Sequence, residues 1–446
     1  MDFVIDLPKS AAGVLERLWA AGHEAYVVGG CVRDCVLGKP PGDWDVATSA
    51  TPDEVAQIFN KTGVLTIGQR HGTMSVKSAG VYCEVTTFRV DGEYSDHRRP
   101  DNVDYTDNLA EDLARRDFTI NAMAYNPRAG LVDLYGGRLD AEKGLIRCVG
   151  DADARFDEDY LRILRAYRFA AVLGFSLDPQ TRAAAISGRH NLRDIAPERI
   201  TAELVKLLTT NNFPAIRQFF DDCADALFPE IARLRGVVQN NIYHCFDVYD
   251  HTMAVLQATP PNFIMRMAAL FHDTGKFIAR KCDDDGIWHF HGHEKYSAEI
   301  CEAALRNLRL DNFTIDRTTA IVRQHSHQLG DGAAWARKFL NRFGADLAIS
   351  IMEFKIADSM GKSDIAKNEG MKREQAILAE LREILAAGEP FTIKDLAISG
   401  KDIMSILNMK PGKEVGQILD KLMQHVLENP ADNTVERLTE LALRRI

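Results

Sequence analysis

Strand-like composition ends near residue 150, and helical periodicity runs almost unbroken after about residue 155. This changeover constrains the fold more than any other feature of the chain. Before it, "EAYVVGG", "DWDVATS", "TMSVKS" and "VYCEVTTFRV" are β-branched or aromatic runs bounded by glycine and polar turns, as short strands are. After it, "EDYLRILRAYRFAAVLGF", "PERITAELVKLLTT" and "PAIRQFFDDCADALF" carry apolar residues at helical spacing. The expected architecture is α+β, a small head followed by a long all-α body. With 446 residues, the chain exceeds one core and predicts two to four domains. Thr51 before Pro52 predicts a capped helix over "TPDEVAQIF". The polar stretch 89–108 predicts a long surface loop.

Composition narrows the function classes. With 46% hydrophobic and 26% charged residues, the chain is of globular type. No apolar run approaches the roughly 18 residues of a membrane helix, and "MDFVIDLPKS" lacks a basic stretch followed by an apolar block. Neither a membrane span nor a secretion signal is expected. The eight cysteines are scattered without C-x-x-C, and Cys31 and Cys35 have the helical spacing of buried thiols. That usage fits a reducing cytoplasm. A formal net charge of −10 argues against indiscriminate coating of nucleic acid. A local basic run remains: 161–199 holds Arg162, Arg165, Arg168, Arg182, Arg189, Arg193 and Arg199 against Asp178, Asp194 and Glu198. Its position suits contact with RNA or phosphate. Nothing in the sequence calls for an obligate protein partner.

Within "YVVGGCVRDCVLGKPPGDWDVAT", Asp43 and Asp45 lie one residue apart. If "DWDVAT" is a strand, both carboxylates face one way and Trp44 the other. Paired carboxylates repel unless a cation sits between them, and their oxygens suit Mg²⁺ shared with a substrate phosphate. D-x-D alone is common at solvated strand ends. Gly29 and Gly30 add to it, because backbone without Cβ admits an anion closely, and "CVRDCVLG" can open a helix whose N-terminus favours phosphate. In "EDLARRDFTINAMAYN", Arg115 and Arg116 are donors suited to phosphate oxygens. Asp117 beside them can hold an arginine or accept from a ribose hydroxyl. In "RFDEDYLRILRAYRFA", Glu158, Asp159 and Arg162 form E-D-x-x-R, with Asp159 and Arg162 at i and i+3 on one helix face. Asp only accepts and Arg only donates. Cytosine and adenine both present an amino donor beside a ring-nitrogen acceptor, whereas guanine and uracil reverse that order. The pair can therefore select C and A and penalise G and U through unpaired groups.

The ordered set "GGCVRD…DWD", "RRDFTINAMA", "DLYGG", "EDYLRILRAYRFA" and "PERITAEL", with "HGTMSV", "EVTTFR" and the tail "ISGKDIM…KPGKEVG", resembles class II CCA-adding enzymes, the tRNA nucleotidyltransferases. The resemblance spans nearly the whole chain. It implies a polymerase-β-like head with a mixed β-sheet over 1–150, a helical neck with the nucleobase-reading helix over 151–225, and a helical tRNA-binding tail over 366–446. It implies addition of C, C and A to the tRNA 3′ end from CTP and ATP without a nucleic-acid template. Asp43 and Asp45 would bind Mg²⁺, with Glu84 a third catalytic carboxylate. Gly29, Gly30, Arg33, Arg115, Arg116, Asp117, Asn121, Glu158, Asp159, Arg162 and Arg165 would line the nucleotide, Arg116 and its neighbour on the triphosphate and Asp117 on the ribose 2′-hydroxyl. The 91–102 segment would be the loop that helps switch from CTP to ATP. Tyr160 departs from the small residue or proline expected after E-D; by helix phase it should point away from the reading pair.

Eight of the thirteen histidines fall between 244 and 327. The ordered series His251, His272-Asp273, His293, His325, Asp358 resembles the HD phosphohydrolase superfamily, placed over 226–365. It implies a metal held by His251, His272, Asp273 and Asp358, with His293 and His325 serving a second. Imidazole and carboxylate suit Mn, Fe, Ni or Co. Lys276, one turn after the HD pair, could meet a phosphate. RNA-end phosphates, cyclic 2′,3′-phosphates or small nucleotides would be substrates, and the alternative is a helical platform without hydrolysis. Rival readings of the whole chain are a poly(A) polymerase, an A-only or C-only tRNA nucleotidyltransferase, and a metal-dependent phosphohydrolase whose head only binds nucleotide or RNA.

Overall fold

The structure is a computed structural model and describes residues 3–60, 64–65, 72–92, 97, 103–239 and 246–444. The chain divides into two compact units, Met1–Leu227 and Phe228–Ile446.

The first unit is built on a seven-stranded mixed sheet in the order β3-β4-β5-β2-β1-β8-β9. The strands are β1 (Ala25–Val28), β2 (Asp45–Thr48), β3 (Val64–Leu65), β4 (Thr73–Ser78), β5 (Val81–Thr87), β8 (Met123–Asn126) and β9 (Gly130–Asp133). Within this sheet, among the described residues, only β2 and β5 pair in parallel, and antiparallel pairing joins the rest. Helix α1 (Lys9–Ala20) buries Ala11, Val14, Leu15 and Leu18 in the core beneath the sheet, with Val27, Val46, Met74 and Val85 from the strands. Register then fixes one position: Asp45 opposes Val28 on β1 and Glu84 on β5.

Short helices carry the connections. Gly29, at φ +76° in a region that L side chains avoid, turns the chain from β1 into α2 (Gly30–Val36). Helix α3 (Pro52–Ile58) has the expected cap, with Thr51 and Glu54 closing a capping box. The stretch 89–108 is not all loop. Its arms pair as an antiparallel ribbon, β6 (Arg89–Asp91) with β7 (Val103–Tyr105), because backbone hydrogen bonding outweighs the polarity of the side chains. Most of 91–102 lies outside the described residues.

Beyond the sheet, the first unit continues through α4 (Leu109–Ala114), α5 (Gly137–Lys143), α6 (Ala152–Glu158), α7 (Leu161–Leu173), α8 (Pro179–Gly188), α9 (Pro197–Leu208) and α10 (Phe213–Leu227). Helix α7 packs along α9 and α10, and its buried Tyr167 donates to Asp222 Oδ2 at 2.9 Å.

The second unit is helical: α11 (Pro229–Ala232), α12 (Val248–Ala258), α13 (Phe263–Phe271), α14 (Lys276–Ala279), α15 (His293–Asn307), α16 (Asn312–Gln324), α17 (Ala333–Phe343), α18 (Ala345–Met360), α19 (Asp364–Ala387), α20 (Gly400–Ile406), α21 (Lys413–Glu428) and α22 (Val435–Leu443). Helix α13 is the apolar spine, burying Met265 through Phe271 among α12, α15, α16 and α18. Helices α20–α22 share a core of their own around Ile403, Leu422, Val426, Leu438 and Leu441. No helix among the described residues is long and apolar enough to cross a membrane.

Candidate functional site

The strand expected over "DWDVAT" begins two residues late. Pro40, Pro41 and Gly42 are poor ladder residues, and pairing starts at Asp45 opposite Val28. Asp43 is therefore an exposed residue before β2, and strand alternation does not bring it to Asp45. The two carboxylates still interact. Burial, joined by Asp43 and Glu84 and opposed by Arg116, pushes the Asp45 carboxyl up to about 6. Glu84 arrives through the parallel register of β5. Asp45 thus feels two further carboxylates at the end of a central strand, a like-charged set that a divalent cation would relieve, although among the described residues these three do not form a group with metal-ligand spacing.

Arginines surround this point. Asp112, wholly buried on α4, accepts from Arg115 Nε at 2.9 Å and Nη2 at 2.6 Å, and from Arg116 Nη2 at 3.0 Å. That clamp sets Arg116 against Gly29: a Cβ on Gly29 would lie 3.1 Å from Arg116 Nη1. Arg116 Nε is buried without a hydrogen-bond partner. The guanidinium nitrogen beside Gly29, Nη1, makes only a long bond to the Asn121 carbonyl at 3.5 Å, and a cationic donor next to a glycine backbone suits an anionic oxygen. Arg33 donates to Asp34 Oδ1 at 2.8 Å and to Asn121 Oδ1 at 2.8 Å. Asn121 in turn donates to Asp117 Oδ1 at 3.2 Å. Asp117 takes the first of its two expected uses: it holds Arg165, from Nε at 3.0 Å and Nη2 at 2.6 Å. Burial alone would raise the Asp117 carboxyl, but Arg165 outweighs it and brings it to about 2.

The E-D-x-x-R motif does not lie on one helix. Helix α6 stops at Glu158, Asp159 is extended at φ −143°, ψ 103°, and α7 opens after Tyr160. Asp159 Oδ1 accepts the Leu161 amide at 3.1 Å, an arrangement that competes with helix continuation. Asp159 and Arg162 meet through the backbone, the Arg162 amide donating to the Asp159 carbonyl at 2.9 Å, and both side chains have partners elsewhere. Asp159 Oδ2 takes Arg199 Nη2 at 2.8 Å. Arg162 is held by Glu158, by the Arg155 carbonyl at 3.0 Å and by the Arg115 carbonyl at 3.3 Å. Tyr160 stacks on His97, ring centroids 4.4 Å apart, so its ring has a partner of its own.

In the second unit the histidine series converges. His251 stands on α12, His272 and Asp273 follow α13, His293 opens α15, His325 ends α16, and Asp358 lies in the last turn of α18. Four rings turn Nδ1 to a backbone carbonyl: His251 to Gly361 at 3.0 Å, His272 to Ala269 at 2.8 Å, His293 to Phe290 at 2.8 Å and His325 to Val322 at 2.7 Å. Carbonyls only accept, so Nδ1 carries a proton and Nε2 is the atom aimed inward; burial opposes charge on His272, but Asp273 and Asp358 outweigh it and push that ring up. Nε2 of His251 and His272 are 3.2 Å apart, and those of His293 and His325 are 3.0 Å apart. Facing lone pairs at such distances require a proton or a metal between them.

The carboxylates complete two groups. Asp273 Oδ2 lies 3.2 Å from His272 Nε2 and 3.5 Å from His251 Nε2, while Oδ1 lies 3.2 Å from His293 Nε2 and 3.7 Å from His325 Nε2. Asp358 Oδ1 is 3.1 Å from His251 Nε2. Among the described residues, His251–His272–Asp273 and Asp273–His293–His325 both have metal-ligand spacing, and Asp273 bridges them. Burial, with His272 and His293, pushes the His325 ring down to about 4 against the pull of Asp273, leaving it neutral at neutral pH. Burial also disfavours charge on Asp273, but His272 and Lys276 outweigh it and hold the carboxyl well below the usual range.

Several residues of these clusters escaped the sequence reading. Asp112 sits at i−3 and i−4 to the paired arginines, a spacing that could have marked it. Lys362 donates to Asp358 Oδ2 at 2.7 Å from i+4 and was legible the same way. Lys355 donates to the His325 and His327 carbonyls at 2.6 and 2.9 Å, and no local pattern announces it. Lys276 lies on Asp273 Oδ2 at 2.7 Å. These lysines, with Phe290, His291 and Glu374, line a cavity of about 420 Å³ beside the histidines.

Comparison with known proteins places these features. Residues 25–147 match the family model described as "Poly A polymerase head domain", 174–234 that of "Probable RNA and SrmB- binding site of polymerase A", and 287–442 that of tRNA nucleotidyltransferase domain 2. The CCA-adding enzyme of Geobacillus thermodenitrificans is 35% identical over 445 residues, covering 98% of this chain and 97% of its own. That of Oceanobacillus iheyensis is 49% identical over 212 residues, 48% of this chain and 52% of its own. The crystal structure of the Bacillus stearothermophilus CCA-adding enzyme in complex with CTP matches with a TM-score of 0.69 at 28% identity, over 99% of this chain and 98% of that one. The carboxylate-and-arginine head, the helical body and full-length likeness to these enzymes agree: the chain belongs to the CCA-adding enzyme family, the tRNA nucleotidyltransferases.

Proposed function

We propose that the first unit adds C, C and A to the 3′ end of tRNA, taking CTP and ATP in turn and reading the incoming base with its own side chains. The observation that carries the reading is Asp45, set between Glu84 and Asp43 with Arg116 beside it. The tRNA 3′-hydroxyl attacks the α-phosphorus and pyrophosphate leaves. Asp43 and Asp45, with Glu84, would hold Mg²⁺, which would supply charge stabilisation for the attacking and departing oxygens. Arg115 and Arg116, fixed by Asp112, receive the triphosphate at Gly29 and Gly30. Asp159 and Arg162 face the base, one accepting from the amino group and one donating to the ring nitrogen. Asp117 accepts twice from Arg165, once from Asn121 and once from the Phe118 amide, so it would take the ribose hydroxyl by giving up one of these bonds. The CTP complex of the Bacillus stearothermophilus relative supports this choice of substrate.

The second unit, on this reading, carries an HD-type phosphohydrolase site. The two facing imidazole pairs that share Asp273 favour it. His251, His272, Asp273 and Asp358 would hold one transition metal (Mn, Ni, Co or Fe), and His293 and His325 with Asp273 a second. Such ions activate water toward phosphoesters. Within each unit we keep the finer boundaries at about 150 and 365, supported by the separate core of α20–α22. The free thiols of the described cysteines suit a cytoplasmic setting. Replacing Asp43 or Asp45 with alanine tests the head: nucleotide addition is expected to fall by about a thousandfold or more while tRNA binding persists, because affinity for RNA comes largely from phosphate contacts elsewhere. Turnover within tenfold of the parent would remove the assignment.

A further inference from the structure

We propose that Glu374 sets the substrate class of the site in the second unit. It accepts from a hydroxyl on the carbon next to the ester, so the site takes a phosphomonoester such as a ribonucleoside 2′- or 3′-phosphate in preference to a deoxy or cyclic form. The inference rests on the reading of the histidine cluster as a phosphohydrolase site.

Glu374 stands on α19, which packs along α18. It lines the same cavity as Asp273, His293, His325 and Asp358, and it is 8% exposed. Ser359, itself buried, donates a side-chain hydrogen bond to the carboxyl. The remaining oxygen, Oε2, is buried with no hydrogen-bond partner. A buried carboxylate oxygen without a donor is costly and uncommon in a folded protein. An apolar side chain of similar length would fill the space between α18 and α19 without that cost. The free oxygen therefore points to a donor that arrives with the substrate.

The rest of the cavity says what kind of donor. Lys276 and Lys362 stand on Asp273 Oδ2 and Asp358 Oδ2, both at 2.7 Å. Lys355 spends two of its three N–H donors on the His325 and His327 carbonyls. These cations make the Asp273–Asp358 side the place for a phosphate. Glu374 is close enough to feel the charges of Lys355, Asp358 and Lys362, so the group it accepts from must sit near the phosphorus. A phosphate oxygen does not qualify, because a carboxylate repels it. In a phosphoester the donor nearest the phosphorus is a hydroxyl on the carbon next to the ester. A ribonucleoside 2′- or 3′-phosphate carries one, whereas a 2′-deoxynucleoside 3′-phosphate and a 2′,3′-cyclic phosphate do not. Phe290 and His291 also line the cavity and offer their rings to a base. Hydrolysis forms a bond from a water oxygen to phosphorus, breaks the ester P–O bond and returns one water proton to the released alcohol.

The test compares kcat/KM for adenosine 3′-phosphate, 2′-deoxyadenosine 3′-phosphate and p-nitrophenyl phosphate in the parent, Glu374→Ala and Glu374→Gln, with the divalent ion that supports most turnover. Elemental analysis of bound metal and melting curves in EDTA accompany it. The parent is expected to prefer the ribonucleotide to its deoxy form by about tenfold, and Glu374→Ala to bring the two within about twofold by losing on the ribonucleotide alone. Turnover of p-nitrophenyl phosphate and metal content should stay at the parent level in Glu374→Ala. Glu374→Gln keeps the shape and the Ser359 bond and is expected to melt no lower than the parent, because Oε2 has no bond to lose. Should Glu374→Ala not fold, Glu374→Met is judged by the same ratio. A parent that hydrolyses p-nitrophenyl phosphate without preferring the ribonucleotide overturns the inference and leaves the phosphohydrolase reading standing, as does a preference that survives in Glu374→Ala. Loss of metal or of p-nitrophenyl phosphate turnover in Glu374→Ala, or a lower melting point in Glu374→Gln, would make Glu374 a support of the cluster and again overturn the inference. No bound metal and no hydrolysis in the parent removes the phosphohydrolase reading and this inference with it.

Discussion

Burial, reinforced by Asp43 and Glu84, carries the Asp45 carboxyl from an ordinary 3.8 up to about 6. The folded state therefore binds this proton more tightly than the unfolded chain does. The contribution favours folding below pH 4 and is lost as pH rises through 6. At neutral pH the ionised cluster costs the metal-free protein about 2 kcal/mol, after allowance for partial exposure. Asp45→Asn is expected to stabilise the metal-free protein by about that amount at pH 7.5 and by little at pH 4, while addition is lost. Denaturant titrations at both pH values in EDTA measure it, and an Asn variant less stable than the parent at pH 7.5 would contradict the electrostatic account. Mg²⁺ should stabilise the parent more at pH 7.5 than at pH 4, because only the ionised carboxylates gain from it. Arg162 is the other single residue on which the account turns. Arg162→Ala should weaken exclusion of UTP and GTP by about tenfold and affect triphosphate binding less. Incorporation of all four nucleotides by the variant decides it, and undiminished exclusion would end the side-chain template idea for this chain.

At the scale of elements, α4 presents the arginine pair proposed to receive the triphosphate. Asp112 is buried, and Arg115 and Arg116 hold its carboxyl below the usual range although burial alone would raise it. Asp112→Ala leaves two guanidinium groups without their anion and should cost about 3 kcal/mol of stability, with a raised KM for CTP and ATP. A loss below about 1 kcal/mol in chemical denaturation would show that the clamp is not held this way. The same elements explain what the sequence conveys. Long periodic runs such as α9 and α10, the capped α3 and the β-branched strands β4 and β5 declare themselves, because local propensity and burial agree there. The halt at Asp159 does not, because "EDYLRILRAYRFA" keeps its helical period through the break and the competing bond from Oδ1 to the Leu161 amide is invisible to periodicity. The late start of β2 was hidden in the same way: Asp43 and Asp45 read as strand neighbours, but only pairing with Val28 decides where the ladder begins. Arg199 and Lys355 reach their partners across 40 and 30 residues, a distance that no local pattern spans. The histidine series was legible because residue type and order carry it without any geometry.

Over the whole molecule, the Asp45 carboxylates and their arginines lie within Met1–Leu227 and the histidine cluster within Phe228–Ile446. Their functions should separate. Asp273→Ala removes the carboxylate shared by both metal-ligand groups, so it should abolish hydrolysis of phosphoesters assayed with Mn²⁺, Ni²⁺, Co²⁺ and Mg²⁺, lower the bound metal found by elemental analysis, and leave nucleotide addition within about twofold of the parent. No bound metal and no hydrolysis in the parent with any of these ions would leave the second unit a helical platform. The central claim concerns the first unit, and product length tests it most directly. A tRNA lacking its 3′ end is incubated with CTP alone, ATP alone, both together, and UTP or GTP, and the products are resolved to the nucleotide. The account predicts growth by C-C with CTP alone, by C-C-A with both, no extension with UTP or GTP, and arrest once the A is in place. A lengthening run of A from ATP alone, or no extension under any condition, would contradict it.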